Sequence, residues 1–164
     1  MRSDAPLAPT LAAATDLRWP ALDPFADLVN PALGLGLLVL LVLAIRAGRT
    51  REAIGLPLTL LIMLVLAYGT AHVDRVLGLA DRFDLNFSTH GAVHLAAWAT
   101  VLAWHPRAWP LAAGIALAYH AFMVAQGYHS AADLAVTVAT AGLLVAATAV
   151  AIRRRWRASR GGTG

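Results

Sequence analysis

The sequence predicts an all-α integral membrane protein, a bundle of about five transmembrane helices, and three features carry that reading. The chain has 164 residues, of which 59% are hydrophobic and only 13% charged, a balance outside the usual range of a soluble domain. Its apolar residues gather into five runs, each close to the ~20 residues that cross a bilayer. All thirteen basic residues are arginines, most of them at the ends of those runs, where positive charge orients helices and meets anionic headgroups. That placement accounts for the net charge of +4, so no nucleic-acid partner is expected. The chain has no cysteine, which excludes disulfides and thiolate metal sites.

Taken in order, residues 1–23 form an exposed N-terminal arm of Pro, Ala, Thr, Asp and Arg without periodicity. Its weak apolar run, Leu7 to Ala14, is interrupted by Pro9 and makes a poor signal peptide. Asp23-Pro24 supplies an N-cap followed by proline at the first helical position, opening a span from Phe25 to Ile45 in which Pro31 predicts a kink. A second span extends from about Ala53 to Ala71. His72, Asp74, Arg75, Asp81, Arg82, Asp84 and Asn86 then crowd one connection, which predicts a polar loop over 72–88. The third span starts with Ser88 or Thr89 as N-cap and ends at Trp104. His105-Pro106-Arg107 turns the chain into a fourth, from Ala108 to about Gln126, and the fifth covers Ala131 to Ile152. The bundle, 24–152, is a single domain, and 153–164 reads as a basic cytoplasmic tail.

Five alternating spans put Arg46, Arg49, Arg51, Arg107 and the tail arginines on one side, which makes that side cytoplasmic. The setting is a plasma membrane of the bacterial inner type. The loop 72–88 and the segment Gly127-Tyr128-His129-Ser130-Ala131-Ala132-Asp133 then emerge together on the external face.

That second segment supports two readings. His129 and Asp133 lie four residues apart on one helical face, so the carboxylate can accept a ring N–H and leave the opposite nitrogen free to act as base or nucleophile. Ser130-x2-Asp133 is equally a capping box that starts a helix. His90, at the start of the third span, adds a second imidazole at the same face, and intramembrane ionisable groups are costly unless functional or paired. Two histidines and a carboxylate can supply a nucleophile, its orienting group and a general acid. Arg75 and Arg82 can clamp a phosphate or simply pair with Asp74, Asp81 and Asp84, and the free N–H groups at the start of the third helix favour an anion.

These residues resemble the membrane phosphatidic acid phosphatase type 2 superfamily, relatives of the vanadium haloperoxidases. Phe87-Ser88-Thr89-His90 resembles its Pro-Ser-Gly-His motif, and Gly127-Tyr128-His129-x3-Asp133 its Ser-Arg-x5-His-x3-Asp motif; Arg75-x6-Arg82 is similar to Lys-x6-Arg-Pro, and Pro106-Arg107 falls at a turn where such proteins carry that pair. The resemblance covers roughly residues 55–152. It implies His129 as nucleophile, Asp133 as its orienting partner, His90 as proton donor to the leaving alcohol, and Arg75, Arg82, Ser88 and Thr89 around the phosphoryl oxygens. It implies no metal and no cofactor, a lipid phosphate as substrate beside the membrane lipids, and hydrolysis or phosphotransfer as the reaction. The sequence departs from the pattern at Met123, where the family has the arginine six residues before the histidine, and at Phe83 and Phe87, where it has prolines. The run Asp84-x2-Phe87-Ser88-x-His90 and the missing arginine are similar to the sphingomyelin synthase branch.

Two other readings stay open on the residues. His90 and His94 share a face at i, i+4 spacing, and with His120, His129 and Asp133 they could form the centre of a metal-dependent hydrolase. Alternatively, Gly34-x-Gly36 and the Ala-rich fifth span suit a non-catalytic scaffold built for close helix packing.

Overall fold

The structure, a computed structural model, describes residues 19–161. The expected N-terminal arm, with its weak apolar run Leu7 to Ala14, lies outside the described residues as far as residue 18. The described elements are α1 (Asp23–Arg46), α2 (Thr50–Leu77), α3 (Thr89–Trp104), α4 (Trp109–Ala125), α5 (Ala131–Thr137) and α6 (Leu143–Gly161). A single π-helical segment, Val138–Gly142, joins α5 to α6, so these three form one continuous rod. The fold is an all-α membrane bundle. Four of its rods, Pro20–Arg46, Thr50–Leu77, Pro106–Ala125 and Ala131–Trp156, are long and apolar enough to cross a membrane.

The exception is α3. Its 16 residues extend for only about 24 Å, yet it packs against every other helix. Its side chains explain this position: Ala92, Ala96, Ala99 and Ala103 are all buried, and small residues let neighbouring helices approach closely where lipid offers no hydrophobic driving force. They form the main core with Met63 and Ala67 of α2 and Val145 and Ala149 of α6. Leu and Val residues on the outer faces of α1, α2, α4 and α6 remain exposed, including Leu38, Val65, Leu117 and Leu143. That is the surface expected of a helix facing lipid tails.

Element ends follow the sequence chemistry. Ser88 caps α3 by accepting the Gly91 N–H at 3.1 Å, and Gly78, at φ 57°, ends α2 in the left-handed conformation that glycine tolerates best. Two expectations need correction. The second span does not stop at Ala71: nothing before Gly78 breaks the helix, so α2 runs on through His72, Asp74 and Arg75 to Leu77 and the polar connection begins at Gly78, where the backbone turns left-handed. Nor does the chain break at 152/153, because α6 carries Arg153, Arg154 and Arg155 on as helix. α1 continues through Pro31 without interruption.

The two ends of the bundle are chemically distinct. One gathers the start of α1, the end of α2, the starts of α3 and α5 and the end of α4; it is called here the histidine end. The other, the arginine end, holds the α1–α2 and α3–α4 turns and the length of α6 beyond Ile152.

Candidate functional site

At the histidine end, Ser130 and Asp133 form a complete capping box. The Ser130 hydroxyl accepts the Asp133 N–H at 3.1 Å, and Asp133 Oδ2 accepts the Ser130 N–H at 2.7 Å. The same carboxylate reaches across the bundle, where Oδ1 accepts the Asn86 N–H at 2.7 Å. Next to it, Thr137 Oγ1 accepts the Ser88 N–H at 2.9 Å while donating to the Asp133 carbonyl at 3.0 Å. Both readings of the segment therefore meet in one side chain: Asp133 starts its helix and ties the α2–α3 connection to α5.

These ties fix the two histidines. His129 Nδ1 lies 3.9 Å from Asp133 Oδ2, beyond a hydrogen bond by about 1 Å, and has no other partner among the described residues. Burial holds the His129 imidazole below its ordinary pKa, with Asp133 drawing it back up and His90 pushing it down. Nδ1 is the ring nitrogen turned toward the carboxylate. His90 sits exposed on the first turn of α3, close enough to His129 for their charges to interact, and its carbonyl accepts from Asn30 Nδ2 at 3.2 Å.

The expected phosphate-binding residues fare differently. Ser88 is completely buried and its hydroxyl is used in capping. Thr89 is half-buried at the first position of α3. Arg75 is exposed on the last turns of α2, and Arg82 donates to the Leu77 carbonyl at 3.3 Å, closing the end of that helix. Asp74 is likewise used locally, accepting the Ala80 N–H at 2.9 Å. No hydrogen bond or ion pair among the described residues joins either arginine to His90 or His129.

Several residues that the sequence reading passed over hold this end together. Gln126 is buried and exchanges two hydrogen bonds with the Trp19 backbone, at 2.8 and 3.1 Å. Tyr128 bonds Asp23, so the start of α1 is clipped to the α4–α5 turn. A polar residue at the end of an apolar run is the signal for Gln126, but the sequence does not name its partner. Beneath His90 lies a second layer. His94 is fully buried, stacks on Tyr119 with ring centroids 4.4 Å apart, and meets His120 edge-on at 5.8 Å. His120 Nδ1 lies 2.6 Å from the Ala116 carbonyl; a carbonyl only accepts, so Nδ1 carries a proton, while Nε2 has no hydrogen-bond partner among the described residues. Gly91 allows this arrangement, since a Cβ there would lie 3.2 Å from Ser88 Oγ and 3.3 Å from His120 Nε2. Below the α4–α5 turn, Leu117, His120, Ala131 and Leu134 are among the residues lining a lateral cavity of about 610 Å³.

Among the described residues, no group of three His, Asp or Glu side chains converges in a way that could hold a metal ion, which separates His90 and His94 from the joint site considered above. Comparison with known proteins finds no family model, curated protein or solved structure that matches the chain.

Proposed function

We propose that this membrane protein transfers the phosphoryl group of a lipid phosphate through a phosphohistidine on His129, in the manner of the phosphatidic acid phosphatase type 2 superfamily. The observation that supports it best is the tie between Asp133 and the Asn86 N–H at 2.7 Å, which holds the turn carrying His129 beside the helix start carrying His90. Nε2 of His129 attacks phosphorus as the bond to the lipid alcohol oxygen breaks, and His90 gives its proton to that departing oxygen. Water or a second lipid alcohol then attacks phosphorus, giving its proton to His90 as the P–N bond breaks and the electron pair returns to His129 Nε2. Asp133 keeps the Nδ1 proton on the far side of the ring, once the 3.9 Å separation closes around substrate. The first N–H groups of α3 take the place of the missing family arginine at Met123, with Arg75 and Arg82 drawing the anion toward the site from its rim. The cavity beside Ala131 and Leu134 suits an alkyl chain entering from the bilayer.

In this reading the arginine end faces the cytoplasm of a cell bounded by a plasma membrane, and the histidine end faces out. A cysteine introduced at Phe83 then reacts with an impermeant maleimide in intact cells, and one at Ala158 does not; the opposite pattern inverts the orientation.

The mechanism is tested by incubating purified protein with a radiolabelled lipid phosphate in excess chelator and quenching in base. Acid-labile label on the wild type and none on His129→Gln supports it. Turnover that chelator removes and zinc restores overturns it. A specific observation favours a scaffold as second reading: both Asp133 oxygens are already engaged by backbone N–H groups. Lipid-phosphate turnover that His129→Gln leaves unchanged, or its absence from the wild type under every lipid tried, promotes that reading.

A further inference from the structure

The arginine end carries a site of its own. Apart from its contacts near Tyr119 and Met123 with α1 and α5, α4 packs on α3 and leaves a lateral cleft against α6. This cleft has a volume of about 440 Å³, within the range typical of ligand sites, and its walls are apolar, formed by Leu95, Trp98, Leu102, Ala113, Ala146 and Val150 among others. At the arginine end Pro106, Trp109 and Arg153 pass from this cleft into a second, polar cavity of about 700 Å³, completed by Trp104, His105 and Arg107. Among the described residues, no carboxylate lines either cavity. The nearest acidic group, Glu52, is already committed to Arg49 at 2.9 Å and lies 3.1 Å from His105. Arg107 and Arg153 have no acidic partner among the described residues.

Two uncompensated guanidinium groups and an indole at the mouth of an apolar slot have the polarity of one kind of molecule. We infer that the cleft between α4 and α6 binds an anionic phospholipid, with its phosphate between Arg107 and Arg153 and one acyl chain lying against α3. A guanidinium presents forked donors suited to phosphate oxygens, and Trp109, exposed at the end of the α3–α4 turn, offers an indole of the kind that favours a membrane interface. A second copy of the chain is a poorer occupant, because a two-fold contact across this cleft brings each arginine pair toward its own counterpart. The site is independent of the proposed chemistry at His129, which lies at the opposite end of the bundle.

Trp98, Trp104 and Trp109 line the two cavities, so chain-brominated lipids report occupancy by quenching fluorescence. The full chain is titrated in mixed micelles with brominated phosphatidylglycerol or brominated phosphatidylcholine. The anionic lipid is expected to reach half-maximal quenching at a mole fraction lower by at least about fivefold, the contribution of one basic residue at a charged interface. Arg107→Gln combined with Arg153→Gln brings the two curves together. Ala146→Leu, which fills the cleft without touching either arginine, lowers the saturable quenching by both lipids; because it leaves the charges intact, it tests the cleft even where the double variant fails to fold. Coincident curves in the wild type, a preference that survives both glutamines, quenching unaffected by Ala146→Leu, or a dimer cross-linked efficiently through Ala113→Cys would each overturn the inference.

Discussion

The two ends of the bundle solve the same problem, keeping polar groups at the edge of a membrane, in opposite ways. At the histidine end the neutral and acidic side chains are consumed by backbone hydrogen bonds: Asp133, Thr137, Ser88 and Gln126 all serve main-chain N–H groups. Among the described residues, the buried polar atoms left without a hydrogen-bond partner there are the Asn30 Oδ1 and several imidazole nitrogens, including His129 Nδ1 and His120 Nε2. At the arginine end the ordering comes from indole packing. Trp104 donates to Thr59 Oγ1 at 3.1 Å and lies against Trp156 with ring centroids 5.1 Å apart, while positive charge is left over. A backbone-anchored frame is what the proposed chemistry at His129 would require; an aromatic anchor with free cations is what the proposed lipid site would require. The difference teaches that burial alone does not mark a candidate site: the decisive contrast is which groups the frame leaves without partners.

The sharpest way to break this comparison is to remove the reactive group without disturbing the frame. His129→Gln is expected to lower lipid-phosphate turnover by more than about 10⁴-fold, and His90→Gln by about 10²–10⁴-fold, both with unchanged thermal unfolding in detergent. Equal losses of activity and melting temperature would make the histidines part of the frame. Asp133→Ala comes next. It strips acceptors from the Ser130 and Asn86 N–H groups, so unfolding free energy should fall by about 2–4 kcal/mol, with hydrogen exchange rising at both amides. Asp133→Asn, which retains one good acceptor, should recover part of that loss.

At the arginine end Gly55→Ala should act on stability alone. A Cβ at Gly55 would stand 1.9 Å from the Trp104 ring, and that ring is held by Thr59 and Trp156, so the overlap should cost about 1–3 kcal/mol and change tryptophan emission while per-molecule turnover stays at the wild-type value. The smallest effect is on pH. Because the His129 pKa is lowered in the folded state, the unfolded chain takes up the proton first. Its contribution is therefore absent above the ordinary value near 6.5 and destabilises as pH falls below it, until the native ring also protonates. The acid limb of turnover should lie below 6.5 in the wild type, and replacing His90 with Gln, which removes the neighbouring positive charge, should move that limb up.

Much of this was legible in the residues, for physical reasons that differ by element. The five apolar runs needed only composition, and the caps at Ser88 and Ser130 needed only a hydroxyl followed by the right neighbour. The end of α2 is hard to read because His72, Asp74 and Arg75 look like loop residues one at a time, whereas the helix continues until a residue that stops it, the left-handed Gly78. The π segment was invisible, since nothing in Val138–Gly142 departs from ordinary helical composition. At the site, the alternation of spans was enough to put the starts of the third and fifth spans at one end of the bundle. The employment of Arg82 on the Leu77 carbonyl and of Ser88 inside its cap was not readable, because local backbone groups compete for side chains in ways that only the folded path decides. Gln126 and Asn30 stayed unread for the same reason, their partners lying 107 and 60 residues away.

The shortness of α3 turns the bundle into a gauge of bilayer thickness. α2 has 28 residues and α3 has 16, against a hydrocarbon layer of about 30 Å that calls for about 20. The outer rods can satisfy a thick membrane by standing upright, but the central one cannot lengthen, so a thick bilayer draws the polar first turn of α3 below the headgroups and a thin one brings it level with them. Each ångström of such mismatch costs a fraction of a kcal/mol. Reconstituted in lipids of graded chain length, the chain should be most stable in the thinner bilayers, so that membrane thickness itself would bear on where the protein resides.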